Sequence, residues 1–179
     1  LLKENGVSEI YISSNDKRFD GHGVERLEHK NTFKLINKKE QGYWLDAFYP
    51  NFPKKTEVTY LFGDVYFSEN AIKTIINANV SVNTLVGNSV AKNERHLNIG
   101  EPFAYIVKDY ETFLQGIDDV KALHDKGLIK RHPIVWELYR YLNRLDINIQ
   151  QILEETYITI DDETIDIDHP SQVVKMNGA

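Results

Sequence analysis

At 179 residues, with 41% apolar and 11% aromatic side chains, the chain has the material for one packed core, and default disorder is excluded. Its 27 acidic against 21 basic residues give a net charge of −6, which argues against a nucleic-acid backbone as the main partner and favours a small polar or phosphorylated one. There is no cysteine, so disulfides, thiolate metal sites and thiol nucleophiles are excluded, and any metal must be held by oxygen or histidine.

The opening Leu1-Leu2-Lys3-Glu4-Asn5-Gly6-Val7 reads as the last turn of a helix, with Gly6 at the C-terminal stop, and so predicts that an N-terminal segment is missing. The run Ser8 to Ser14 follows as a strand. Residues 15 to 31 predict a loop with a short helical piece from Val24 to His29, and Phe33 to Ile36 a short strand. Residues 38 to 56, broken by Gly42, Pro50 and Pro53, predict no long element. Val58 to Phe62 is a nearly continuous apolar run, the pattern of a central parallel strand covered on both faces, and it ends in Gly63-Asp64. Ser68 then caps a helix whose apolar positions 71, 72, 75 and 76 share a face.

Val82 to Val86 and Pro102 to Val107 are two more strands around a polar loop. Asp109 caps a helix over 110 to 126, and Pro133 sits at the start of another, from Ile134 to Leu145. Within it, Trp136 to Tyr141 with Leu138 and Leu142 read as a buried face or a dimer contact. Thr156 to Ile160 is the last strand, followed by an Asp-rich stretch and a short helix after Pro170. Strands alternating with helices predict one α/β domain with a mostly parallel sheet. No apolar run approaches the roughly 20 residues of a membrane helix and no leader pattern opens the chain, so a cytoplasmic protein without a membrane partner is expected.

Two short motifs carry the chemistry. Gly63-Asp64-Val65 follows the best strand, and beyond the carboxyl ends of strands in open α/β sheets an aspartate faces the ligand crevice while glycine lets a ligand approach the backbone. Asp64 is therefore a candidate metal ligand; the competing reading makes it a turn or cap residue. In Asp166-Ile167-Asp168-His169-Pro170, aspartates at i and i+2 of extended backbone point the same way and bring two hard oxygen donors to one locus suited to magnesium or manganese. The bland alternative is a solvated acidic turn, since Asp161, Asp162 and Glu163 are close by. Glu101 is a candidate for a sugar hydroxyl or a structural ion pair. Lys92, Arg95 and His96 are candidates for an acceptor phosphate or an exposed charged loop. The six histidines lack a His-Glu-x-x-His spacing and give no zinc signal.

Taken together, Leu61-Phe62-Gly63-Asp64-Val65-Tyr66-Phe67 and Asp166-Ile167-Asp168-His169-Pro170-Ser171-Gln172 resemble the nucleotidyltransferases that include sugar-phosphate nucleotidyltransferases, CMP-sugar synthetases and molybdenum-cofactor guanylyltransferases. The first segment is similar to their strand ending in Tyr-Gly-Asp-Val, the second to their closing Asp-Ile-Asp-Thr-Pro-Glu-Asp, with His169 for the threonine and Ser171-Gln172 for the acidic pair. Leu1 to Ser14 is similar to their first helix end and second strand. The family's first strand and its Gly-rich phosphate loop have no counterpart in the sequence.

The resemblance implies a three-layer α/β/α Rossmann-like sandwich, the nucleotide-diphospho-sugar transferase (glycosyltransferase-A-like) fold. It implies Mg2+ held by Asp64, Asp166 and Asp168; Gly63 and Glu101 are candidates at the substrate from their positions beside the strands, Glu101 with a structural ion pair as its alternative. The reaction it implies moves a nucleoside monophosphate from a nucleoside triphosphate to a phosphorylated small-molecule acceptor, a sugar or polyol phosphate, with release of pyrophosphate, in activated-sugar or surface-polysaccharide synthesis; a homodimer is an expectation that rests on the Trp136 to Tyr141 stretch alone. A glycosyltransferase of the same fold would need a second aspartate directly after the central strand, where Gly63-Asp64-Val65 has none. A binding or regulatory module that lost catalysis is the alternative from a different class.

Overall fold

A computed structural model describes residues 1–29, 33–36, 39–49, 57–89, 100–169 and 172. The first residues form a single helical turn, Lys3–Asn5, closed at Gly6 in the left-handed conformation (φ 84°), where its N–H donates to the Lys3 carbonyl and the Val7 N–H to that of Leu2. Strand β1 (Tyr11–Ser13) pairs in parallel with β2 (Glu25–Leu27). The helical piece expected over Val24 to His29 is thus a strand: Arg26 is held extended by Asp20 and the Ser14 carbonyl. A hairpin of β3 (Phe33–Ile36) and β4 (Lys39–Gly42) follows, then a 3-10 turn, Trp44–Phe48.

The main sheet has four strands in the order β5 (Val58–Leu61), β8 (Pro102–Val107), β7 (Thr84–Gly87), β9 (Tyr157–Thr159). It is mixed. The strands β5, β7 and β9 share one direction, but β8 runs against them between β5 and β7, so the expected mostly parallel sheet is corrected: of the three pairings only β7–β9 is parallel. For the same reason Val58 to Phe62 is not a central parallel strand among the described residues, where β5 pairs with β8 alone.

Helices cover both faces. Alternate residues of the sheet (Leu85, Tyr105, Val107, Tyr157) pack with Phe113, Ile117 and Val120 of α2 (Tyr110–Asp125) and with Val135, Leu138 and Tyr139 of α3 (Val135–Leu142). The intervening set (Val86, Ala104, Ile106) packs with Ala71 and Ile75 of α1 (Glu69–Ile76). Period-2 alternation in the strands and 3.6-residue periodicity in the helices meet here as two apolar layers. The caps are as the sequence predicts: the Ser68 hydroxyl accepts from the Ala71 N–H and the Asp109 carboxylate from the Thr112 N–H. Ile72, Ile75, Val135 and Leu138 are buried, and Ile76 and Leu142 half-buried. Trp136 is buried and stacks on Tyr157, so it belongs to the core. The described residues contain no helix long and apolar enough to cross a membrane.

Candidate functional site

Strand register gathers the predicted site residues at one edge of the main sheet. Leu61 pairs with Ala104 and Gly87 with Pro102, the Phe62 N–H donates to the Phe103 carbonyl, and the Ile160 N–H donates to the Gly87 carbonyl. Because β8 is reversed, its beginning lies beside the carboxyl ends of β5, β7 and β9. Glu101, Gly63-Asp64, Asn88 and Asp161 therefore share that edge.

Beyond it, β6 (Val65–Tyr66) and β10 (Ile165–Asp166) form a small antiparallel ladder, with Val65 opposite Asp166 and Tyr66 opposite Ile165. The Ile167 N–H donates to the Asp64 carbonyl at 2.7 Å. This one bond sets Asp64 opposite the residue between Asp166 and Asp168, two segments about a hundred positions apart in the sequence. Asp64 and Asp168 are exposed and Asp166 is half-buried. Three carboxylates on adjoining backbone are hard oxygen donors of the type magnesium takes. Among the described residues no three His, Cys, Asp or Glu side chains are already grouped as a metal site, so the juxtaposition is one of backbone register. A side chain built on Gly63 would meet nothing within 4 Å, which leaves the backbone beside Asp64 open to a ligand.

Gln172 brackets the second motif. Its carboxamide oxygen accepts from the His169 N–H (2.7 Å) and its amide donates to the Asp166 carbonyl (3.4 Å), so the glutamine that replaces an acidic residue still closes this turn. Lys92, Arg95, His96 and Pro170 lie outside the described residues.

Asp162, which the sequence offers only as part of an acidic cluster, anchors the site. It accepts hydrogen bonds from the Ser68 hydroxyl (2.6 Å), the Asn70 amide (3.2 Å) and the Thr164 N–H (2.8 Å), while the Ser68 N–H donates to the Thr164 hydroxyl. The start of α1 is thereby tied to the 162–164 turn, and β6 is set against β10. Burial pushes the Asp162 carboxyl up, but the bonds from Ser68, Thr164 and Asn70 outweigh it and hold the group at about 2. A depressed folded value means stability that is present above the ordinary carboxylate value of 3.8 and lost as pH falls toward about 2. Chemical denaturation between pH 5 and pH 2 should show this loss, and Asp162→Asn should flatten it; an unchanged slope would remove Asp162 from the account.

A second support is steric. A Cβ on Gly100 would overlap the Asn88 carbonyl, and one on Gly87 would overlap the Glu101 carbonyl and the Tyr157 hydroxyl, which donates to the Asn88 carbonyl. The strand β7 and the segment entering β8 approach as closely as glycine permits, and the half-buried Glu101 is fixed there by its N–H to the Asn88 side chain (2.6 Å). Gly100→Ala should cost about 1–3 kcal/mol by overpacking. A melting temperature equal to wild type would show that this approach relaxes freely.

Comparison with protein-family models, with curated proteins and with solved structures gives no match for the chain.

Proposed function

We propose that the protein is a magnesium-dependent nucleotidyltransferase that moves a nucleoside monophosphate from a nucleoside triphosphate to a sugar- or polyol-phosphate acceptor and releases pyrophosphate. The observation that carries the reading is the Ile167-to-Asp64 hydrogen bond, which brings Asp64 to Asp166 and Asp168 at the sheet edge where Glu101 also stands. The segments that meet there are the two that resemble the family. Helices on both faces of a mixed sheet support the further reading of a three-layer Rossmann-like sandwich. A cytoplasmic location belongs to the same proposal.

In this reading Asp64, Asp166 and Asp168 hold the magnesium, which when bound offsets charge on the triphosphate and on the leaving pyrophosphate. Gly63 leaves room for the substrate beside Asp64, and Glu101 takes a hydroxyl of the sugar or polyol. An ionised oxygen of the acceptor phosphate forms the new bond to the α-phosphorus as the bridging bond to the β-phosphate breaks. No side chain has to remove a proton from the acceptor. The protein's contribution is positioning and charge placement, the usual means in phosphoryl-type transfer.

The test is pyrophosphate release with magnesium, each of the four nucleoside triphosphates and a panel of sugar and polyol phosphates. Release that depends on both one triphosphate and one acceptor is expected. Silence across the whole panel, with no cation bound at Asp64, would overturn the proposal.

A further inference from the structure

The first turns of α2 and the last turn of α3 enclose a groove of about 780 Å³ that the proposed reaction does not use. The Asn83 side chain, just before β7, accepts from the Lys108 and Asp109 N–H groups, so α2 starts at the amino end of that strand and the groove lies toward the end of the sheet opposite Asp64. Glu111, Gln115 and Asp119 line it as one stripe of α2, four residues apart, and Tyr141, Leu142 and Arg144 line it from α3 and the turn that follows. Gly116 sets how close the helices come: a Cβ there would fall 2.7 Å from Leu142 Cδ2, and the floor between the two helices is apolar.

The bonding of these groups is uneven. Both Asp119 oxygens are engaged, one by the Gln115 carboxamide N–H (3.0 Å) and one by the Tyr141 hydroxyl (2.9 Å), which fixes the Tyr141 ring on the groove wall and holds its phenol above the ordinary value. Glu111 and Arg144 are exposed and have no side-chain hydrogen bond or ion pair among the described residues. Arg144 is also the only residue other than glycine among them with a left-handed backbone (φ 57°). Its N–H donates to the Tyr141 carbonyl and the Leu145 N–H to that of Arg140, the pattern that closes a helix and ordinarily takes glycine. An arginine held there is strained, and among the described residues no bond of its guanidinium offsets the strain.

The unengaged groups define the ligand. A phosphate or other anion drawn to Arg144 would meet the Glu111 and Asp119 carboxylates, and a simple cation would meet Arg144. A single amino acid could pair with both charges but would leave most of the groove empty, whose volume falls in the range of about 300–1,000 Å³ that takes drug-sized ligands. Sugar rings meet every condition: a hydroxyl accepts from the guanidinium and donates to the Glu111 carboxylate or the Gln115 carbonyl oxygen, while the C–H face of a ring lies on Tyr141 or the leucine floor. We propose that the groove between α2 and α3 binds a short neutral oligosaccharide, with Arg144, Glu111 and Gln115 on its hydroxyls and Tyr141 against one ring. The proposal stands on this groove alone and is independent of the transferase reading.

The test is an NMR titration of the isotope-labelled chain with unbranched trisaccharides of glucose, galactose, mannose and N-acetylglucosamine, beside inorganic phosphate and free glutamate. At least one trisaccharide should shift the amides of Gln115, Asp119, Tyr141 and Arg144 saturably, and phosphate and glutamate should not. Arg144→Gly, which relieves the strained backbone, should melt at or above the wild-type temperature and bind that trisaccharide about tenfold more weakly. Glu111→Ala, at an exposed position, should also weaken binding and leave the chain folded. Silence of these amides across all the trisaccharides would overturn the proposal, as would binding that survives both substitutions, or shifts produced by phosphate or glutamate instead. An Arg144→Gly chain that melts lower or does not fold would make the arginine a structural cap and overturn it as well.

Discussion

Asp64→Asn should lower magnesium-dependent turnover by about 100-fold or more, on the order of 3 kcal/mol of transition-state stabilisation, while the melting temperature stays level or rises slightly. Asparagine keeps the size and one oxygen and removes only the charge that a cation requires. Asp64 is exposed in a turn held through its backbone, with the Ile167 N–H donating to its carbonyl, so the fold loses little. At the proposed cation site the substitution removes one of three like charges from the metal-free protein, which accounts for a small gain. A cap or turn residue behaves oppositely, losing about 1 kcal/mol of stability with no effect on turnover. Steady-state pyrophosphate release and a thermal melt on the same sample separate the two, and a variant that melts lower yet turns over normally would remove Asp64 from the site.

Glu137→Ala should be the most destabilising single change outside the site, by about 3–5 kcal/mol, or about 10 °C in melting temperature. The glutamate is 2% exposed; it accepts from the Arg140 guanidinium at 2.6 Å and the Arg131 guanidinium at 2.7 Å, and from the Ile134 N–H at 3.0 Å. Arg140 is equally buried and also donates to the Ile147 carbonyl. Burial already lowers its pKa against the support of Glu137, and its Nη1 has no hydrogen-bond partner in the structure among the described residues. Removing Glu137 strands a buried cation and uncaps α3 together. The double variant Glu137→Leu/Arg140→Leu should recover most of the loss, because two apolar groups replace the pair. If Glu137→Ala unfolds at the wild-type denaturant midpoint, the pair does not hold α3.

The parts of the fold legible in the sequence are those whose causes are local. Ser68 and Asp109 are caps with the correct offset to the helix that follows, and the isoleucines at 72, 75 and 76 repeat at helical spacing, so α1 and α2 could be placed within a residue or two. Pro102 to Val107 is an unbroken apolar run and became β8 with those bounds. The reversed direction of β8 was not legible, because direction depends on how the connections cross the sheet and not on the strand's own residues. Glu25–Leu27 is not legible as a strand, because its charges mask a short element whose partner, β1, supplies the pattern.

The same division holds at the site. Asp64 stands out because it directly follows a strand, and Asp166 and Asp168 because of their i, i+2 spacing. Asp162 did not, since its role lies in Ser68 and Asn70, more than ninety residues earlier. Nor did Gly87 and Gly100, whose need for a missing side chain appears only when the segments opposite them are in place.

The central claim is that Asp64, Asp166 and Asp168 serve one cation. Adding Mn2+ to the isotope-labelled chain and following amide line widths by NMR tests it directly, since paramagnetic broadening marks the residues nearest the ion. The account predicts that residues 63 to 66 and 165 to 169 broaden first and together, that Mg2+ reverses the effect, and that Asp64→Asn weakens it in both segments. Broadening confined to one segment, or centred elsewhere on the acidic surface, would contradict it.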